Sequence, residues 1–161
     1  MFNTKKGLDL PISGAPSLEI DSSTTINSIA LLGPDFVGLK PTMLVKEGET
    51  VTSGQKLFED KKNPGVYITA PSSGVVQSNN RGEKRRFLFL VIETDDSIEP
   101  QQFDVDTYDS SIKFLIDSGA FSYFKTRPYN RIPSVDAMPD AIFVNSCDTN
   151  PLAVDPQHLI K

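Results

Sequence analysis

Residues 43–93 read MLVKEGETVTSGQKLFEDKKNPGVYITAPSSGVVQSNNRGEKRRFLFLVIE. Short apolar runs (Leu44-Val45, Lys56-Leu57-Phe58, Val66-Tyr67-Ile68, Val75-Val76 and residues 87–92) recur at intervals of about 8 to 12 residues. Turn formers separate them: Glu47-Gly48, Ser53-Gly54, Asn63-Pro64-Gly65, Pro71-Ser72-Ser73-Gly74 and Asn79-Asn80-Arg81-Gly82. This spacing predicts a compact all-β sandwich or barrel rather than β–α–β units. The turn Ser72-Ser73-Gly74 is expected to need a positive φ at Gly74, which only a residue without Cβ adopts at no cost. Pro71 pre-sets the chain before that reversal and cannot lie in a central ladder.

The 161 residues suffice for one or two small domains, and an apolar fraction of 38% with ten Phe and no Trp allows a modest core. A net charge of −5 argues against a nucleic-acid binder held by phosphate contacts. With Cys147 the sole cysteine, no intramolecular disulfide can form. His158 is the sole histidine, so a multi-histidine zinc site is excluded. Cys147 and His158 are two ligands at most, and Asp148 and Asp155 stand in turn contexts where aspartate caps backbone, so no metal site is expected. No apolar run approaches the roughly 20 residues that span a bilayer, and residues 1–10 lack the apolar core of a secretory signal. The expected compartment is the cytoplasm, with any membrane association made through a partner.

Outward from the β module, residues 1–27 form an extended arm broken by Pro11 and Pro16. SIALL (residues 28–32) reads as a buried strand ended by Gly33-Pro34, and residues 35–42 as a loop carrying two exposed apolar side chains, Phe36 and Val37. After the β module (residues 28–93) comes an acidic connector (residues 94–108). The span 93–109 holds seven acids and no bases and reads as solvated, with at most one edge strand. Residues 109–161 read as the beginning of an α/β domain. Asp109 is the expected N-cap and Gly119 the expected stop of a short helix with apolar Ile112, Phe114, Leu115 and Ile116. AIFVN (residues 141–145) is apolar enough for a strand buried in a parallel sheet, and Asp155-Pro156 would open a further helix. Half of a β–α unit at the end of the chain implies a piece of a longer protein, and the final helix is expected to fray for want of packing partners.

The glycine-rich pieces VKEG (45–48), VTSGQ (51–55) and APSSGV (70–75) resemble the half-repeat of lipoyl- and biotinyl-type domains, the barrel-sandwich hybrid fold. The fold class is therefore α+β: a barrel-sandwich hybrid module, then the start of an α/β domain. In carrier domains the modified lysine lies seven residues before the alanine of Ala-Pro. Here that position is Asn63, next to Lys61 and Lys62, which speaks against a carrier and for a structural or docking hairpin.

Four further stretches point elsewhere: KKGLDLPI (5–12), FEDKKNPGV (58–66), TRP (126–128) and DTNPLA (148–153). Together they resemble the N-terminal part of the A subunit in the bacterial sodium-translocating NADH:quinone oxidoreductases. The resemblance implies a peripheral, non-redox component of a translocase that couples electron transfer from NADH to ubiquinone to Na+ export. It implies a place on the cytoplasmic face of the inner membrane and, as partners, the membrane subunits. The complex uses flavins, an iron–sulfur cluster, ubiquinone and Na+; no cofactor is expected on this chain and no catalytic residue is assigned. Related proteins, such as the C subunit of the Rnf complex, bind flavin and give the competing electron-input reading. Their glycine-rich loop would correspond to residues 118–128, where only Gly119 remains beside Phe121, Tyr123 and Phe124.

The link to quinone makes Phe36, Val37, Gly38, Arg127, Pro128 and Tyr129 the candidate quinone-proximal residues, because quinones take apolar clefts with few polar donors. Alternatively Phe36 and Tyr129 plug the seam between the β module and the α/β part. Arg81, Lys84, Arg85 and Arg86 form one basic island and Lys125, Arg127 and Arg131 a second. On an acidic chain both islands are candidate faces for lipid headgroups or an acidic partner, the first supplying the candidate docking residues, against the plainer reading of a solvated edge.

Overall fold

The computed structural model describes residues 12–145, 150 and 152–154. Two compact units divide the chain, one of residues 25–138 and the other of residues 1–24 with 139–161.

The larger unit is built on two antiparallel sheets. One has four strands in the order β1 (Ser28–Leu32), β7 (Phe87–Thr94), β6 (Gly74–Arg81), β3 (Thr50–Val51). The other has three, β2 (Pro41–Met43), β4 (Lys56–Asp60), β5 (Tyr67–Thr69). Inward side chains of both sheets form one core. Val51, Val76, Leu90 and Ile92 come from the first sheet, Leu57, Phe58 and Ile68 from the second, all 3% exposed or less. The rings of Phe58 and Phe87 meet at 5.2 Å between centroids and tie the sheets together. Among the described residues one α-helix, α1 (Ser111–Asp117), follows the connector. Lys56 on β4 pairs with Asp117 at 2.8 Å, each side chain about one third exposed (34% and 31%), and the Lys56 ammonium stands 4.2 Å from the Tyr67 ring centroid. Such an exposed pair orients the helix more than it stabilises it.

Several elements differ from expectation. SIALL is a strand, but an edge strand, with only Ile29 and Leu31 half-buried; it has one ladder partner, β7, and one face open. Residues 41–43, expected in a loop, form β2; Pro41 is tolerated because it opens an edge strand. The turn expected at residues 79–82 lies at 82–86, after β6 has run on to Arg81. Beyond Thr94, which ends β7, the connector holds no strand, yet it is not loose: Gln101 N–H donates to the Ser53 carbonyl (2.9 Å) and the Phe103 ring packs on Gly54. Helix α1 is capped by Ser110 rather than Asp109, without a side-chain cap bond. It ends as expected at Gly119, whose φ of +79° turns the chain out of the helix.

In the smaller unit the described residues form no helix or strand. AIFVN is therefore not a strand: Ile142, Phe143 and Val144 are 60–85% exposed, and among the described residues no strand offers them a ladder. Residues 1–11 of the arm, Cys147, Asp148 and the helix expected beyond Asp155 lie outside the described residues.

Two positions carry testable consequences. Gly74 opens β6 with a φ of +155°, and a Cβ there would collide with the Glu93 carbonyl of β7. Gly74→Val is expected to cost about 2 kcal/mol or more in chemical denaturation; an unchanged midpoint would refute this account of the strand. Asp60, 8% exposed, accepts the backbone N–H groups of Lys40 and Lys62, both at 3.0 Å. Asp60→Ala leaves both donors without that acceptor, and a loss of about 2 kcal/mol is expected, with Asp60→Asn nearer the parent because its amide oxygen still accepts. Equal stability of Asp60→Ala and the parent would show that these bonds contribute nothing.

Candidate functional site

The loop after β1, the turn after β4 and the hairpin after β6 converge on one side of the larger unit. Residues 33–36 begin with a tight turn: Phe36 N–H donates to the Gly33 carbonyl at 3.2 Å. Phe36 is half-buried, not exposed as expected, because its ring packs edge-on against Phe58 (5.9 Å). Val37 does remain 44% exposed. The chain then passes Gly38 and Lys40 into β2, where pairing of Pro41 with Asp60 brings Lys40 beside Lys61 and Lys62. The Lys61 N–H donates to the Lys40 carbonyl (2.9 Å), and Lys62 Nζ donates to the Gly38 carbonyl (3.0 Å).

From the other sheet comes the β6–β7 hairpin. Its turn holds two consecutive non-glycine residues in the left-handed region, Lys84 (φ 53°) and Arg85 (φ 61°). Each costs roughly 1 kcal/mol relative to ordinary backbone. That conformation was invisible in the sequence, since no glycine or asparagine marks it.

These elements enclose an open groove of about 1040 Å³. Phe36, Val37, Leu39, Met43 and Phe87 supply apolar lining; Lys40, Lys61, Lys62, Arg81, Lys84, Arg85 and Arg86 supply seven positive charges. No Asp or Glu lines it, and none of the seven bases has a carboxylate partner among the described residues. Two sequence candidates, the Phe36–Gly38 loop and the hairpin island of Arg81, Lys84, Arg85 and Arg86, thus share one site. Sequence reading missed Lys40, and it placed Lys61 and Lys62 on a structural or docking hairpin without joining them to the other bases. The missing signal was the β2–β4 register, which sequence spacing alone does not specify.

Arg127, Pro128 and Tyr129 do not line the groove. They lie in a turn closed by Thr126 N–H to the Arg131 carbonyl and Asn130 N–H to the Thr126 carbonyl, both 2.8 Å, with a cis Arg127–Pro128 bond. Tyr129 is 72% exposed and so plugs no seam. The turn nevertheless reaches the loop through Arg131, whose Nε stands 3.5 Å from where a Gly38 Cβ would be.

Phe36 also borders a second cleft of about 800 Å³, between the β module and helix α1, with Ile68, Phe103, Phe114 and Lys125 among its lining. Lys125 Nζ donates to the Ser122 carbonyl at 2.9 Å and lies 5.9 Å from the Phe36 ring centroid. Burial pushes the Lys125 ammonium below the usual lysine range.

Asn63, at the carrier-lysine position, donates from Nδ2 to the Pro133 carbonyl at 2.8 Å. Its neighbour Gly65 donates its N–H to the Glu59 carboxylate at 2.9 Å. The turn is bound into the fold, as a swinging arm could not be. Among the described residues no group of three or more His, Cys, Asp or Glu side chains gathers as a metal site would require. Cys147 and His158 lie outside the described residues.

Comparison with known proteins agrees with this architecture. The model of the NqrA N-terminal barrel-sandwich hybrid domain matches residues 2–95, and that of the NqrA second alpha/beta domain matches residues 108–161. The A subunit of the Na(+)-translocating NADH-quinone reductase of Actinobacillus pleuropneumoniae serotype 5b is 48% identical over the whole chain. Its counterpart in Neisseria gonorrhoeae is 48% identical and that in Glaesserella parasuis 46%, again over the whole chain. The chain spans 37–38% of the length of these relatives. The fold is a barrel-sandwich hybrid module followed by an α/β domain, and the chain belongs to the NqrA family.

Proposed function

We propose that this chain is the N-terminal part of a peripheral, non-redox subunit of a sodium-pumping NADH:quinone reductase, which couples electron flow from NADH to ubiquinone to Na+ export. The observation that carries this reading is the identity of 45–48% along the entire chain to proteins named as the A subunit of that enzyme. Sodium movement and quinone reduction belong to the assembled complex, whose flavins, iron–sulfur cluster and membrane subunits lie on other chains. No helix among the described residues is long and apolar enough to cross a membrane, which supports attachment through partners. In this reading the chain stands on the cytoplasmic face of the inner membrane.

Within that role, the hairpin bases Arg81, Lys84, Arg85 and Arg86 form the docking face. The Phe36–Gly38 loop and the Arg127–Tyr129 turn form the quinone-proximal surface. Support for the second assignment is chemical: Phe36 borders the second cleft, where Ile68, Phe103 and Phe114 supply apolar lining and the Lys125 ammonium a polar donor. Photoreactive quinone should label this surface in the full-length protein; label confined to other residues would remove the assignment.

The membership itself is tested by purifying membranes from the source bacterium. This chain should co-purify with sodium-dependent NADH:quinone reductase activity, and its separation from that activity would end the reading. The non-redox role is tested by calorimetry of the full-length protein with FMN and with NADH. Neither should bind at micromolar concentration. Around the one glycine that remains in residues 118–128, Phe121 and Phe124 hold their rings 6.0 Å apart, and Gly119 packs against Thr69. Phosphate needs free backbone N–H groups and close approach there. Micromolar FMN binding would move the protein to the electron-input class.

A further inference from the structure

We propose that the basic groove seats an acidic segment of another polypeptide, one with apolar side chains set among its carboxylates. The inference deepens the docking role assigned to the hairpin and rests on it. Unpaired positive charge is the first ground. Seven bases line one groove on a chain of net charge −5, and no acid lines it with them. Like charges gathered around one groove give it a positive potential that an anionic occupant complements.

The second ground is shape. The bases come from the ends of both sheets: Lys40 just before β2, Lys61 and Lys62 from the turn after β4, the others from the β6–β7 hairpin. They border a depression lined with Phe36, Val37, Leu39 and Phe87. A bilayer surface cannot enter a depression, whereas an extended peptide can place carboxylates on the bases and apolar side chains on the lining. Nor does the lining hold Tyr or Trp, the residues that seat at headgroup level. A lone phosphate would engage two or three of the bases and leave the apolar lining uncovered. Third, Lys84 and Arg85 occupy the left-handed region in succession, a backbone arrangement that fixes the direction in which the hairpin presents them.

The test uses fluorescence anisotropy with the purified protein and a labelled peptide alternating glutamate with leucine. The peptide should bind, and polyglutamate without leucine should bind several-fold more weakly. Reversing charge on either wall, Lys61→Glu or the pair Lys84→Glu with Arg85→Glu, should weaken binding about tenfold or more. These side chains make no hydrogen bonds within the described residues, and unchanged melting temperatures would confirm that the variants fold. Val37→Ser should weaken the leucine peptide and leave polyglutamate unaffected. Absence of peptide binding, or binding indifferent to both walls, overturns the proposal. So does preferential sedimentation with phosphatidylglycerol vesicles, displacement of the peptide by millimolar inorganic phosphate, or wall-dependent self-association, each of which names a different occupant. Co-purification with the reductase activity is a separate result: if it holds while the peptide fails, the groove assignment falls and membership in the complex stands.

Discussion

Phe58 is the contact on which the rest of the larger unit depends. It sits fully buried on β4, with Phe87 of the other sheet at 5.2 Å and Phe36 of the first loop at 5.9 Å. One ring therefore joins sheet to sheet and sheet to loop. Aromatic pairs of this kind add to burial about 0.5–1.5 kcal/mol each. Phe36 and Phe87 also line the groove. The apolar part of the candidate site is thus the outer surface of the core itself. Its position is set by packing, which makes it a rigid support for the charged side chains around it.

Charge is distributed on the same scaffold with a clear division. Acids crowd the span 93–109, seven with no base, while the groove gathers seven bases with no acid. The segregation is tolerated because the groove is open, and water and salt screen charges that stand more than about 8–10 Å apart. Asp60 is the exception that makes the arrangement possible. Its buried carboxylate lies beside three of the lysines, yet it is engaged by the N–H groups of Lys40 and Lys62 rather than by an ammonium. It places the lysines through their backbones and leaves their positive side chains free of a carboxylate partner among the described residues.

Much of the fold was legible in the sequence because hydrophobic spacing and turn chemistry report the same thing. β1, β4, the β6–β7 hairpin and the stop of α1 at Gly119 all follow from local signals. Three features were not local. The β2 strand begins at a proline, which reads as a break until its edge position is known. Lys84 and Arg85 take a conformation that their side chains disfavour, so propensity placed the turn too early. AIFVN has the composition of a buried strand, but composition cannot supply the neighbouring strand that makes one. For the site, each half was readable and the union was not. Phe36 to Gly38 and the hairpin bases are separated by more than forty residues, and only tertiary pairing brings them with Lys40, Lys61 and Lys62 to one groove.

The turn after β4 shows how one architecture serves two purposes. In carrier domains that this module resembles, the turn must project a lysine freely into solvent. Here side-chain bonds restrain it, among them Asp60 to Lys40 and Lys62, Lys62 to Gly38, Glu59 to Gly65, and Asn63 to Pro133. The last of these spans seventy residues of sequence and fastens the turn to the segment that follows helix α1. A loop so restrained loses the conformational freedom that an arm requires, and gains a fixed orientation. Fixed orientation is what a groove wall needs, since a partner then binds without first ordering the surface it meets. The lysines of this turn are therefore better suited to holding a partner in place than to carrying a group between sites.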